Sequence, residues 1–111
     1  MGQEHDMDPA SLAVGVDVDG RRATLVVTGE IDAHTCELLD RRLDEVLSAG
    51  ARDLTLDVSG VSFVDSSGLR ILVRAHEQAR TYDGHLALRG PDATFRRLLD
   101  VTGLADVFAV L

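Results

Sequence analysis

The sequence predicts a single α/β domain with a mixed sheet of four to five strands and three to four helices. Short apolar segments with period-two alternation recur along the chain, and segments with helical spacing of apolar residues lie between them. Gly, Asp or Pro stands at the junctions. Strand–helix–strand units imply parallel pairing with right-handed crossovers, and an opening hairpin adds an antiparallel edge.

The opening hairpin is predicted by two apolar segments on either side of Asp19-Gly20, a dipeptide that favours tight hairpin turns. The second strand covers residues 23–28 and ends at the segment Gly29-Glu30-Ile31-Asp32. Apolar residues alternate along the first strand at Leu12, Val14, Val16 and Val18.

The first helix follows from apolar residues at helical spacing, with charged residues between them. We expect Thr35 or Asp32 to cap its start and Gly50 to end it. Its core-facing positions are Cys36, Leu39, Leu43, Val46 and Leu47. Cysteine on such a face usually acts as a small hydrophobic residue.

The second half of the chain continues the alternation of strands and helices. A third strand at residues 54–58 leads through a short loop into a second helix, whose core stripe is Leu69, Leu72, Val73 and His76. A turn at Asp83-Gly84 precedes a fourth strand over residues 85–89. The third helix opens at Gly90-Pro91-Asp92 and closes at Gly103, and residues 106–110 form a short strand or an apolar tail.

Length and composition indicate one domain of 111 residues, with a flexible polar tail at residues 1–10 and the folded domain at 11–111. The net charge of −8 argues against nucleic acid or an anionic membrane as partner. All basic residues are arginine, which excludes P-loop and Schiff-base chemistry because both need lysine. No signal peptide or membrane-spanning run is visible, and the single cysteine cannot form an internal disulfide, so we expect a cytoplasmic protein.

The most informative segment is Asp65-Ser66-Ser67-Gly68, which stands where the second helix begins. Backbone N–H groups are unpaired at a helix N-terminus and the helix dipole favours negative charge there. Such a segment can therefore cap the helix or hold a phosphate. Asp32 follows the preceding strand, so we expect both segments at the carboxyl edge of the sheet, where functional groups collect.

Two segments taken together resemble the STAS domain of bacterial anti-sigma factor antagonists: residues 27–35, with Gly29-Glu30-Ile31-Asp32, and residues 54–69, with Asp65-Ser66-Ser67-Gly68-Leu69. The resemblance implies a STAS-like fold and a regulator rather than an enzyme. It implies that the unphosphorylated protein binds an anti-sigma factor and so frees a sigma factor. It also implies that this anti-sigma factor, a serine/threonine kinase with a histidine-kinase-like ATPase fold, phosphorylates Ser66, and that a PP2C-type phosphatase resets the switch.

Site residues follow from the resemblance together with the local pattern. Ser66 is the predicted phosphorylation site, and a plain helix cap is the alternative. Asp65 either caps the helix or orients the hydroxyl, and Gly68 permits a close approach or forms a turn. The predicted partner-binding residues are Asp32, Thr35, Asp65, Ser66, Ser67, Gly68, Leu69, Arg70 and Arg74. Asp32 could instead cap the first helix, and the two arginines could be a solvated face.

A phosphate on Ser66 adds about −1.5 to −2 charges and three acceptors. Next to Asp65 and Asp32 it would repel a partner fitted to the neutral serine, with little refolding. The alternatives are a non-switching STAS scaffold, a transporter-complex subunit and, remotely, a serine hydrolase using His34, His76 or His85. We expect no cofactor, no metal and a monomer or weak dimer.

Overall fold

The computed structural model describes residues 11–111, so the predicted flexible tail at residues 1–10 lies outside the described residues. Within the described part the element order is ββαβαβαβ. The strands are β1 (Leu12–Asp19), β2 (Arg22–Ile31), β3 (Asp53–Val64), β4 (His85–Arg89) and β5 (Ala109–Val110), and the helices are α1 (Cys36–Ser48), α2 (Ser66–Arg80) and α3 (Ala93–Val101). The predicted α/β fold class is confirmed, with five strands and three helices in residues 11–111.

The five strands form one sheet in the order β1-β2-β3-β4-β5. The β1–β2 hairpin is antiparallel, and every later pair is parallel. Because each crossover joins neighbouring strands and such crossovers are right-handed, the three helices cover the same face of the sheet. The core lies between that face and the helices, and among its fully buried side chains are Leu25, Leu39, Leu56, Leu72 and Leu88.

The prediction of a short loop between the third strand and the second helix is wrong. β3 continues from the predicted end at Val58 to Val64, and β2 likewise continues to Ile31. The added residues pair with each other: Gly29 pairs with Val61 after a first register shift, and Ile31 pairs with Val64 after a second, and the two shifts absorb the extra residues of β3. This extension brings the carboxyl ends of the two strands to the same level.

The helix boundaries follow the local signals. Gly50 has a φ of 106°, which suits the left-handed turn that ends α1. Asp92 caps α3 by accepting a hydrogen bond from the N–H of Phe95 at 2.8 Å. Cys36 lies on the core-facing side of α1, as expected, and is half-buried where the helix begins, packed against the core.

His76 is buried on the core side of α2, as its place in the apolar stripe predicts. Its Nδ1 accepts a hydrogen bond from the N–H of Leu86 in β4 at 3.1 Å, and its ring lies edge-on to Phe108. Burial, followed by the nearby charges of Arg80 and His85, lowers the pKa of His76 below its ordinary value. The imidazole is therefore a neutral structural link between α2 and β4.

Candidate functional site

The ends of β2 and β3 bring the two segments singled out in the sequence side by side. Ile31 pairs with Val64, and the N–H of Asp65 donates to the carbonyl oxygen of Ile31 at 3.2 Å. Asp32 and Asp65 therefore leave the sheet from adjacent positions at its carboxyl edge. Each of them leads into a helix, so two helix N-termini lie next to each other at this edge.

Asp65 is the cap of α2. Its backbone is extended, with φ −120° and ψ −173°, and its Oδ1 accepts hydrogen bonds from the N–H groups of Ser67 at 2.9 Å and Gly68 at 3.3 Å. Neither serine is the cap, so the plain-cap alternative for Ser66 does not hold. Asp65 accounts for two of the unpaired N–H groups at this helix start.

Ser66 is the first residue of α2 and its side chain is exposed. Within residues 11–111 its Oγ makes no hydrogen bond to another residue. Ser67 is half-buried beside it. Neither serine hydroxyl forms a hydrogen bond in the part of the chain described, and that of Ser66 is the more exposed of the two.

Gly68 holds α2 close to the sheet. A Cβ at this position would lie 2.5 Å from Cγ2 of Ile31 and 3.0 Å from Cγ2 of Val64, so no larger residue fits without movement. The next residue, Leu69, is buried in the core. Both were predicted to contact a partner. The structure places them beneath the surface, where they fix the position of the helix that carries Ser66.

Thr35, at the start of α1, is also buried, at 8% exposure. Its Oγ1 donates to the carbonyl oxygen of Glu30 at 2.7 Å and accepts from the N–H of Asp32 at 3.0 Å. Thr35 stands at the N-cap position without a side-chain capping bond of its own. Its hydroxyl closes the turn between β2 and α1, which is an intramolecular role.

Asp32 organises the same turn. Its Oδ1 accepts from the N–H groups of His34 and Thr35, both at 2.9 Å. These bonds lower the pKa of the Asp32 carboxyl, with the Thr35 N–H as the largest cause and the Thr35 hydroxyl and His34 N–H adding to it. Asp32 therefore closes the turn before α1 and is not the cap of that helix, whose N-cap position is Thr35, and its side chain is partly exposed.

The two predicted arginines differ. Arg74 lies against the carboxylate of Asp40 in α1, and that hydrogen bond and charge raise its pKa. Arg70, one turn nearer the helix start, is exposed and forms no ion pair within residues 11–111. Arg74 therefore links α1 to α2, whereas Arg70 has no acidic partner in the part of the chain that the structure describes.

Phe63 is a candidate contact residue that the sequence analysis did not name. Its side chain is 49% exposed two residues before the Asp65 cap, in a chain with three phenylalanines. It borders a shallow depression between the end of β3 and the start of α3, also lined by Val61, Ser62, Thr94 and Phe95. A large exposed aromatic residue beside a polar cluster is typical of protein interfaces. The signal in the sequence was an aromatic residue two positions before the motif.

Comparison with known proteins is consistent with this geometry. The sequence profile described as "Mlab, STAS domain" matches residues 14–111. The chain belongs to the STAS domain family. A relative of this STAS domain is the anti-sigma-B factor antagonist of Listeria monocytogenes, 33% identical over 86 residues that cover 78% of this chain and 75% of that protein.

Solved structures extend the comparison. An anti-sigma factor antagonist from Mycobacterium paratuberculosis has 28% sequence identity and a TM-score of 0.82, with coverage of 92% of this chain and 86% of that one. The antagonist SpoIIAA in its unphosphorylated form has 20% identity and a TM-score of 0.78, covering 89% and 88% of the two chains. The second match shows a shared fold.

Other classes of site have less support in the described residues. Between residues 11 and 111 no group of three His, Cys, Asp or Glu side chains is placed to hold a metal ion. None of the described helices is long and apolar enough to cross a membrane. His76, one of the candidate hydrolase bases, uses its Nδ1 on the backbone of Leu86. No histidine in residues 11–111 forms a hydrogen bond with Ser66 or Ser67.

Proposed function

We propose that this STAS domain is an anti-sigma factor antagonist switched by phosphorylation of Ser66. The unphosphorylated form binds an anti-sigma factor that is also a serine/threonine kinase with a histidine-kinase-like ATPase fold. Binding releases the sigma factor, phosphorylation of Ser66 ends the binding, and a PP2C-type phosphatase restores it. The observation that carries the proposal is the exposed, unengaged hydroxyl of Ser66 on a fixed helix start, in a chain whose relatives are named anti-sigma factor antagonists.

The switch depends on the fact that backbone N–H groups at the start of α2 already have an acceptor. The Asp65 carboxylate accepts from the N–H groups of Ser67 and Gly68. A phosphate on Ser66 would have to displace this carboxylate to reach those donors, so it projects outward instead. About −1.5 to −2 added charges would then stand beside Asp65 and Asp32. A partner surface that fits the neutral serine meets repulsion and a desolvation cost.

The partner surface combines residues of different kinds. Phe63 supplies an apolar contact, while Ser66, Ser67 and Arg70 supply polar ones. Gly68, Leu69 and Thr35 act from below by holding the two helix starts in place. Because that support is rigid and internal, we expect phosphorylation to change the surface and leave the fold intact. We further propose that the protein acts in the cytoplasm as a monomer or weak dimer.

The test uses three forms of the tagged protein: wild type, Ser66→Ala, and a form with phosphoserine incorporated at position 66 during translation. Each is used to capture proteins from a native lysate, and the captured ATPase-fold protein is then purified and its affinity measured by calorimetry. We expect wild type and Ser66→Ala to bind alike and the phosphoserine form to lose at least about ten-fold, or 1.4 kcal/mol, in affinity. Ser67→Ala is the matched control: it removes the neighbouring hydroxyl without adding charge, so its loss of affinity should be much smaller than that of the phosphoserine form.

Equal binding by all forms would contradict the switch. In that case the captured proteins decide between the two remaining roles: a constitutive scaffold or a subunit of a transporter complex. Hydrolysis of an ester substrate that disappears in Ser66→Ala would contradict the regulatory role altogether.

A further inference from the structure

The exposed face of α2 carries two arginines whose charges are used differently. Arg74 is engaged by Asp40 of α1. Arg70 has no acidic partner within residues 11–111 and its side chain is exposed. In a chain with a net charge of −8, a free arginine close to the proposed modification site needs an explanation.

Helix geometry places Arg70 over Ser66. The two residues are four positions apart in α2, so their Cβ atoms are about 5–6 Å apart on one face. Helical side chains lean toward the N-terminus of their helix, and the long side chain of Arg70 therefore extends toward the position of Ser66. An anion that precedes a cation by four residues is the favourable order for such a pair.

We propose that Arg70 is the internal counter-ion that a phosphoryl group on Ser66 recruits. This inference rests on the proposed function, since it concerns the phosphorylated form of that site. The planar guanidinium presents parallel N–H donors that match two phosphate oxygens. In the unphosphorylated protein the same guanidinium is free to meet an acidic side chain of the partner. Phosphorylation therefore adds negative charge and at the same time withdraws a positive contact.

The surroundings of Ser66 leave Arg70 as the suitable cation on α2. The N–H groups of Ser67 and Gly68 are held by Asp65, and Arg74 is held by Asp40. The carboxylates Glu30, Asp32 and Asp65, at the ends of β2 and β3, would repel a phosphate. His34, in the neighbouring turn, is exposed, with its backbone N–H bound to Asp32.

The experiment measures the second ionisation of phosphoserine at position 66, incorporated during translation so that no kinase is needed. Titration followed by ³¹P NMR at low ionic strength is run on the phosphorylated protein, on its Arg70→Gln variant and on its Arg74→Gln variant. Because a nearby cation favours the dianion, Arg70→Gln should raise the phosphate pKa by about 0.3 unit, the shift that a helical ion pair of ordinary strength produces. Arg74→Gln is the matched control and should leave it unchanged.

Two further titrations test whether the shift in phosphate pKa comes from the charge and the forked donors of Arg70. Arg70→Lys keeps the charge and loses the forked donors, so it should fall between wild type and Arg70→Gln. Added salt should reduce the difference between wild type and Arg70→Gln. An Arg70→Gln titration identical to wild type, or an equal shift in Arg74→Gln, would overturn the assignment. Either outcome would leave the proposed function standing, because the titration involves neither kinase nor partner. Conversely, a failed partner-binding test would leave this pair intact.

Discussion

The starts of α1 and α2, at the carboxyl edge of the sheet, are built alike but differ in what their hydroxyl groups bind. At each, an aspartate that follows a strand accepts two backbone N–H groups: Asp32 from His34 and Thr35, and Asp65 from Ser67 and Gly68. At α1 the hydroxyl of Thr35 is buried and holds Glu30 and Asp32. At α2 the hydroxyl of Ser66 is exposed and forms no hydrogen bond with any other residue of the range 11–111.

The difference separates a structural hydroxyl from one that is available for chemistry. Because Asp65 already satisfies the helix start, Ser66 contributes little to the fold. It can therefore be modified without a cost in stability. Thr35 has no such freedom, since removal of its buried hydroxyl leaves the carbonyl oxygen of Glu30 and the N–H of Asp32, both partly buried, without this partner. The residue types alone do not distinguish them, because each is a hydroxyl residue within three positions of an aspartate that follows a strand.

The largest expected effect is a loss of stability when the hydroxyl of Thr35 is removed. Thr35→Val keeps the shape and removes the hydroxyl, and we expect it to lower the free energy of unfolding by about 2 kcal/mol because buried polar groups lose their partners. Ser66→Ala should change it by less than about 0.5 kcal/mol. Urea denaturation of both variants measures the contrast, with Thr35→Ser as control. Equal effects at the two positions would contradict the distinction.

A second prediction concerns the close approach of α2 to the sheet. Gly68→Ala places a Cβ against Ile31 and Val64, and we expect a loss of about 1–2 kcal/mol after the better helix propensity of alanine is allowed for. Gly15→Ala is the matched control, since a Cβ there meets no atom within 4 Å. Thermal unfolding compares the two. A Gly68→Ala protein as stable as wild type would mean that α2 can move away from the sheet.

The cap itself gives a third prediction. Asp65→Ala should cost about 1 kcal/mol in unfolding free energy, because the N–H groups of Ser67 and Gly68 lose their acceptor. Asp65→Asn retains an acceptor oxygen and should cost clearly less. Denaturant melts of both variants test this. If Asp65→Ala were neutral, Ser66 or Ser67 would have replaced it as the cap, and the hydroxyl of Ser66 would not be free.

The smallest expected effect is on the pH dependence of stability, and it comes from the buried imidazole of His76. His76 is buried and accepts from Leu86, and its pKa lies below the ordinary value of 6.5. Below pH 6.5 the unfolded chain binds a proton that the folded chain excludes, so stability falls as the pH drops from 6.5 toward the lowered pKa. His76→Asn, which keeps an acceptor, should lose this part of the pH dependence in thermal melts. His34→Asn, at an exposed histidine in the turn between β2 and α1 that is not among the causes of the His76 shift, should keep it.

The sequence predicted much of this architecture, because local signals decide it. Alternation, helical spacing and the turn at Asp19-Gly20 suffice for the element order. The continuation of β3 to Val64 could not be predicted from residues 59–64 alone, since it depends on pairing with the end of β2. Strand length here is a property of two distant segments.

The candidate site was predicted in part for a similar reason. The motif located Asp65, Ser66 and Asp32 correctly at one edge of the sheet. Which of three adjacent cap-forming residues takes the capping role depends on the extended backbone of Asp65. The engagement of Arg74 by Asp40 depends on how α1 and α2 pack, and the exposure of Phe63 depends on the register of β3.

The most direct test of the central claim is to map phosphorylation sites on the intact protein. Tagged wild type, Ser66→Ala and Ser67→Ala are each incubated with native lysate and ATP. Each protein is then purified by its tag, and its peptides are analysed by mass spectrometry. The account predicts one phosphate on Ser66 in wild type and in Ser67→Ala, and none in Ser66→Ala. Phosphate on Ser67 or Thr35 in wild type, or a Ser66→Ala protein that is still modified at this edge, would contradict it.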